Sequence, residues 1–498
     1  MITRRQFNQS ASAAAIAAAT VPSTLNADAH GKFNLLLEHD GTGLAELVRS
    51  GEISPRELVE TSIRAIEALD GDINALPVRD FERALDRADE IRSQGPFAGV
   101  PFAIKDTARV RGLPHATGNA FFADRISSQS DGLVRLYEAS GLISLGITNT
   151  PELSLIPTTE GGVYGNCRNP WNLDHSVGGS SGGAAAAVAA GYMPLAHATD
   201  GAGSIRIPAS HCGVFGLKPG TDRVLAANSN PRFAFDHVVS RTVRDSALAL
   251  AVSQDRSPDI ALPRMGFIQG PGKRRLTIGL VQDGYTVPTQ PEVRDAIIDT
   301  ARLCESLGHE VIETAQIIDQ EAYEDNYRTL YAGGFLNARR AIEEATGMPI
   351  AESGLMRNFT VNFGNFMLQR TPEDVEAATA YFVAEDRRFN SWLTSFDVVL
   401  SPVMYAPSPT LGFLFDDEED YAVTSRRVFD FLGFTSPMNV FGLPAMSVPL
   451  HMSPDGLPIG SQFAAKYGQE PMLLELAYEL EAARPWRNRW APHSTAGL

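Results

Sequence analysis

The stretch that most limits how this chain can fold is Gly178-Gly179-Ser180-Ser181-Gly182-Gly183 followed by Ala184 to Ala190, a sharp glycine-rich turn feeding an alanine helix. Around it, segments with strand and helix patterns alternate almost throughout, which argues an α/β layer fold with a largely buried sheet. Ser54-Pro55-Arg56-Glu57 reads as a capping box with proline at the first helical position, and Val59, Ile63 and Ile66 then share one face. Asp80 opens a second helix, with Phe81, Ala84, Leu85 and Ala88 at helical spacing and Gly95 as its end. Val100 to Ile104 and Leu142 to Ile147 read as strands separated by a helix over Leu133 to Ala139. Leu276 to Val281, a helix over Val293 to Leu307 and Val311-Ile312 form a βαβ unit. Residues 320 to about 395 are helical by pattern, an insertion able to form a lid or side lobe. Val398 to Pro402, Ala445 to Pro449 and Ile459 to Ala464 suggest further strands, the last two flanking an Asp455-Gly456 turn, and a helix over Met472 to Ala482 follows. With no long flexible linker and no solenoid repeat, one large domain is expected.

Of the 498 residues, 44% are hydrophobic and 20% charged, enough to bury a large core and too apolar for a disordered chain. Forty-two basic against fifty-nine acidic residues leave a formal charge of -17, which repels phosphate backbones and anionic lipid and disfavours nucleic acid as a partner. Cys167, Cys212 and Cys304 have neither disulfide-framework nor metal-finger spacing, and Cys304 falls on an apolar helical stripe. The ten histidines include no paired metal-binding pattern. No metal or organic cofactor is expected.

Arg4-Arg5 and Phe7 precede a weakly apolar, alanine-rich run from Ala11 to Val21, and Ala27-Asp28-Ala29 offers a small-x-small cleavage pattern before His30. Residues 1–29 therefore read as a twin-arginine signal peptide, with residues 30–498 the mature domain, periplasmic or secreted. The run is too short to span a bilayer, where about 20 apolar residues are needed, so no membrane insertion is expected after processing.

Two glycine-rich turns bear candidate nucleophiles. The first lacks the lysine that a phosphate-cradling loop requires. It does satisfy G-x-S-x-G through Gly179, Ser181 and Gly183, which would make Ser181 the nucleophile of an α/β-hydrolase-type esterase. That motif wants a hydrophobic strand entering the turn, whereas Trp171 to Val177 is polar and reads as turn. The second is Thr199-Asp200-Gly201-Ala202-Gly203-Ser204-Ile205-Arg206-Ile207-Pro208, 24 residues beyond Ser180. Its small residues before Ser204 let backbone N–H groups converge on one point, as stabilising an oxyanion requires.

Together with Gly99-Val100-Pro101-Phe102-Ala103-Ile104-Lys105-Asp106, Gly213 to Pro219 and Gly442 to Pro449, these turns resemble the amidase signature family, over most of the mature chain. Within the family, the runs Gly178 to Gly191 and His197 to Pro219 look most like the bacterial group containing 6-aminohexanoate-cyclic-dimer hydrolase. The resemblance implies one domain with a central mixed β-sheet covered by helices on both faces. It also implies a cofactor-free amidase: Ser204 matches the nucleophile, Ser180 the bridging serine with a cis peptide bond, and Lys105 the base. Gly201, Ala202, Gly203 and Ser204 match the oxyanion segment, Ser181 a supporting hydrogen-bonding residue, and Asp200 and Arg206 an ion pair bracing the loop. Ala202 departs from the glycine often found there, narrowing the permitted φ and adding a methyl near the acyl pocket. Phe359, Phe363, Phe366 and Tyr405 are expected pocket walls. The implied partner is a small-molecule amide, and a homodimer is compatible with the resemblance. The family also contains the glutamine-hydrolysing subunit of tRNA-dependent amidotransferases, which the export signal and acidic charge oppose. An exported binding protein is the remaining alternative, opposed by the intact Lys105, Ser180 and Ser204.

Overall fold

Side chains alternate in direction along a strand, so a strand buried on both faces must feed two cores. In the computed structural model, which describes residues 33–91, 94–227, 233–331, 333–415 and 420–498, the central strands do this. Val398 and Leu400 point into one apolar core and Val399 into another; Met446 and Ala445 divide in the same way, as do Phe463 and Ala464. The first core is closed by the helices Val243–Ser253, Pro291–Ser306 and Glu470–Ala483, and the second by helices between residues 320 and 440.

Thirteen strands are found among the described residues: β1 (Val78–Arg79), β2 (Pro101–Lys105), β3 (Ile143–Thr148), β4 (Arg168–Asn169), β5 (Asn172–Ser176), β6 (Leu195–Asp200), β7 (Phe215–Lys218), β8 (Phe235–Ser240), β9 (Thr277–Leu280), β10 (Glu310–Glu313), β11 (Val398–Pro402), β12 (Ala445–Met452) and β13 (Pro458–Ala465). Eight form a mixed sheet in the order β10-β9-β11-β13-β12-β7-β8-β6. Its β10, β9 and β11 are parallel and the remaining pairings antiparallel. A three-stranded sheet, β1-β3-β2, lies against its β6 edge, where the Lys105 backbone N–H donates to His197 Nδ1 at 3.3 Å. β2 and β3 are parallel and joined through the helix Gly132–Ala139, as a parallel pair requires a crossover.

The Ser54 capping box forms: Ser54 Oγ accepts from the Glu57 N–H at 3.2 Å, while Glu57 accepts from the Ser54 N–H at 2.9 Å. The helix expected from Asp80 to Gly95 is shorter, Phe81–Glu90, because Ile91 turns extended at φ -67°, ψ 118°. The segment Trp171 to Val177, read as turn, contains β5, paired with β4 in a two-stranded ribbon; its exposed and half-buried alternation hides it from a search for hydrophobic strands. The alanine helix, Gly182–Ala189, is buried at every position, and its small side chains let it lie close to the strands around it. The candidate signal peptide at residues 1–29 lies outside the described residues. No helix among the described residues is long and apolar enough to cross a membrane.

Candidate active site

Lys105 ends β2, Ser180 and Ser181 sit in the turn before the alanine helix, and Thr199 lies next to the end of β6. This turn packs against residues 149–159 so closely that a Cβ on Gly179 would stand 2.5 Å from the Thr158 carbonyl oxygen, and one on Gly183 2.3 Å from the Asn149 nitrogen. Only glycine permits that approach. The Gly179–Ser180 peptide bond is cis. Lys105 Nζ reaches Ser180 Oγ at 2.8 Å, Ser181 Oγ at 2.9 Å and Thr199 Oγ1 at 2.8 Å.

The direction of these bonds follows from proton counting. Ser181 Oγ donates its only proton to the Thr199 carbonyl at 2.9 Å and accepts from the Thr199 N–H at 3.1 Å. Toward Lys105 it is therefore an acceptor, and it is fully buried as well. A neutral lysine has two protons and one lone pair. It can donate to Ser181 and Thr199 and still accept from Ser180. Burial pushes the Lys105 ammonium down from the usual lysine range to about 7, against the opposing pull of Asp200, Asp236 and Asp106. The neutral base form is thus accessible near neutral pH. His197, accepting from the Lys105 backbone, turns its Nε2 toward Asp236 Oδ1 at 3.1 Å, which seats one of those carboxylates.

Ser204 lies in the loop between β6 and the helix Arg206–Cys212. It retains 9% of its exposure, and its hydroxyl takes no hydrogen-bond partner among the described residues. The loop is held from beneath by Asp200, which accepts from the Gly203 N–H at 2.7 Å, the Ile205 N–H at 3.1 Å and Arg206 Nε at 2.9 Å. Burial alone would raise the Asp200 carboxyl, but Arg206 overrides it and holds it at about 2. Arg206 also donates to Gln462 and Asn439, each at 2.7 Å. This corrects one expectation: Gly203 is engaged with Asp200, so it braces the loop, and the free N–H groups are those of Gly201, Ala202 and Ser204. Arg206→Ala would strand a buried carboxylate and is expected to destabilise the protein by about 3–5 kcal/mol. A denaturant-unfolding shift equivalent to under about 1 kcal/mol would show the pair to be dispensable.

Ser204 opens into a narrow cleft lined by Leu155, Ile156, Ala202, Tyr327, Tyr331, Phe359, Phe363, Val428, Phe429 and Leu432, with Ser154 and Pro157 at its side. Phe359 and Phe363 are wall residues as expected, stacked at 6.0 Å. Phe366 and Tyr405 are not: Arg370 covers Phe366 at 4.1 Å, and Tyr405 packs edge-on against Phe431 at 5.0 Å. Phe359, Phe363 and Phe366 share one face of the helix Asn358–Leu368, so the difference lies along its axis: Phe366 sits near the C-terminal end, beyond the cleft, where Arg370 covers it. The helices Gln320–Tyr331 and Asn358–Leu368 place the expected helical insertion as a wall of the cleft. Two contributors went unread in the sequence. Thr199, a threonine in a strand, carries no signal of its own, whereas Tyr323, Tyr327 and Tyr331 recur at four-residue spacing, a stripe that could have been found.

A family model described as Amidase matches residues 57–474. The putative amidase AmiC of Mycobacterium leprae (strain TN) is 35% identical over 460 residues, covering 90% of this chain and 95% of that protein. The 6-aminohexanoate-cyclic-dimer hydrolase of Paenarthrobacter ureafaciens is 35% identical over 490 residues, covering 90% and 96%. A solved structure of 6-aminohexanoate cyclic dimer hydrolase complexed with substrate superposes with a TM-score of 0.84 at 32% identity, over 92% of this chain and 99% of that one.

Proposed function

We propose, from the premise that this chain belongs to the amidase family and is a hydrolase of carbon–nitrogen bonds in amides, that it cleaves a small-molecule amide through an acyl-enzyme on Ser204. The single observation that carries the reading is Lys105 Nζ, fully buried, 2.8 Å from Ser180 Oγ and with its ammonium held at about 7. A serine hydroxyl is a poor nucleophile until a base removes its proton, and a desolvated neutral lysine is such a base. Ser180 hands its proton to Lys105 and takes that of Ser204, whose free hydroxyl closes on Ser180 when substrate fills the cleft. The Ser204 Oγ–carbon bond forms, and the N–H groups of Gly201, Ala202 and Ser204 are the donors for the oxyanion. The carbon–nitrogen bond breaks as the proton returns from Lys105 through Ser180 to the departing amine. Water, activated by the same relay, then releases the acid and restores Ser204. No step draws on a metal or organic cofactor.

Relatives named 6-aminohexanoate-cyclic-dimer hydrolase act on a cyclic amide. Among the described residues lining the cleft, none is ionised, which supports an uncharged amide, linear or cyclic, as the substrate class here. Glutamine, with its charged amino and carboxyl groups, is poorly served by such walls, which weighs against the amidotransferase alternative. The deciding experiment is treatment with a serine-directed fluorophosphonate followed by intact-protein mass spectrometry and peptide mapping. One adduct is expected, on the peptide holding Ser204. An adduct on Ser181 would overturn the assignment in favour of the esterase alternative.

The proposal extends to location: residues 1–29 act as a twin-arginine signal and residues 30–498 as the exported amidase domain. Exchanging Arg4-Arg5 for two lysines is expected to leave precursor in the cytoplasm, measured by cell fractionation. Unchanged export of the exchanged protein would reject the address. A homodimer is compatible with this chemistry, which one chain supplies in full.

A further inference from the structure

An amide brings two polar groups into a site, a carbonyl oxygen and an N–H, unless the nitrogen is fully substituted. The carbonyl oxygen has the loop N–H groups to receive it. The N–H needs an acceptor, and in an apolar cleft a polar group without a partner weakens binding. Among the described residues the lining carries four hydroxyls. Ser204 is the nucleophile, and Ser154 Oγ is paired with Thr150 Oγ1 at 2.9 Å. Tyr327 Oη is sealed in the interior, with the Tyr331 hydroxyl as its neighbour. Tyr331 Oη remains: it interacts with the Tyr327 hydroxyl but is not sealed in the interior as that group is, and it keeps capacity for a further hydrogen bond.

Its position is fixed tightly. The Tyr331 ring stacks on Tyr327 at 5.0 Å and 19°, and Phe233 and Phe363 meet it edge-on at 6.1 Å and 6.4 Å. A Cβ built on Gly201 would stand 2.8 Å from Tyr331 Oη, so the hydroxyl lies directly against the nucleophile loop. A side chain at position 201 would displace it. Burial, with Asp200 nearby, pushes the phenol up to about 12, so it stays protonated at neutral pH and can both accept and donate.

We propose that Tyr331 Oη accepts a hydrogen bond from the N–H of the scissile amide and so makes this site selective for amides over the matching esters. This rests on the Ser204 amidase reading and deepens it. An ester has no N–H at that place and loses nothing when the hydroxyl is removed.

The test compares kcat/KM for an anilide and the phenyl ester of the same acyl group, in the native protein and in Tyr331→Phe, with circular dichroism melts to confirm equal folding. The amide-to-ester ratio is expected to fall about tenfold in the variant. A ratio unchanged while both rates move together would overturn the proposal and leave Tyr331 as a wall of the cleft. An N-methyl anilide, lacking the N–H, separates the contact from ring packing: its hydrolysis relative to the ester should not change on Tyr331→Phe, and a tenfold change there would also overturn it. Failure of the reading beneath has a different signature. Native protein that hydrolyses neither substrate and takes no fluorophosphonate on Ser204 would bring down the amidase assignment and this inference with it.

Discussion

Replacing Ser204 by alanine is expected to lower amide hydrolysis by a factor of about 10⁴–10⁶ and to abolish fluorophosphonate labelling, with folding preserved. The size of the loss follows from chemistry. Without the Oγ there is no acyl-enzyme, and the relay from Ser180 to Lys105 has no nucleophile to activate, so only oriented binding and the loop N–H groups remain. Preservation of the fold follows from geometry. The Ser204 hydroxyl takes no hydrogen-bond partner among the described residues, so its removal strands no buried group there, and Asp200 and Arg206 still brace the loop. Ser181→Ala makes a contrast. It removes an acceptor of Lys105 and the bond that ties the turn to Thr199, so it should weaken the base and the fold together while labelling of Ser204 persists. Full amide hydrolysis by a folded Ser204→Ala protein would place the nucleophile elsewhere.

How much of this was legible in the sequence depended on whether local pattern or distant packing decides each feature. Lys105, Ser180 and Ser204 sit in glycine-rich or strand-ending motifs whose composition is unusual in itself, and the structure brings Lys105 and Ser180 into contact across 75 positions. The βαβ unit around Pro291–Ser306 was readable because its apolar positions recur at one period over sixteen residues. β6, β7 and β8 were not, because they are short, wholly buried and carry histidine, glycine and aspartate, which break any alternation. The role of Gly203 was misjudged for a related reason: whether a backbone N–H is free depends on where the Asp200 carboxylate points, and that is set by Arg206, Asn439 and Gln462 together. The latter two come from far along the chain. The distinction between Phe363, which lines the cleft, and Phe366, which does not, is a matter of how far along one helix face the cleft extends, and tertiary contacts set that.

Lys105→Ala is expected to lower kcat/KM by about 10²–10⁴-fold and to remove a titration that the native protein should show. Only the uncharged amine can accept the Ser180 proton, and the ammonium is held at about 7. Native kcat/KM should therefore rise with pH, increasing about tenfold per unit below that value and levelling above it. The sign is set by burial: a lysine at its ordinary range would still be charged at pH 9, and activity would climb across the whole neutral interval. A direct check is the titration of a ¹³C label on the lysine side chains, in which one lysine should titrate near 7 with the kinetic limb and be absent from Lys105→Ala. The electrostatic surroundings give a further, independent sign. Asp236 lies near enough to stabilise the charged amine, against the burial that disfavours it. Removing that charge with Asp236→Asn should move the limb to lower pH, leaving more neutral base at pH 6 than in the native protein. A shift to higher pH, or a limb that survives in Lys105→Ala at the native position, would mean that the titrating group is not this lysine.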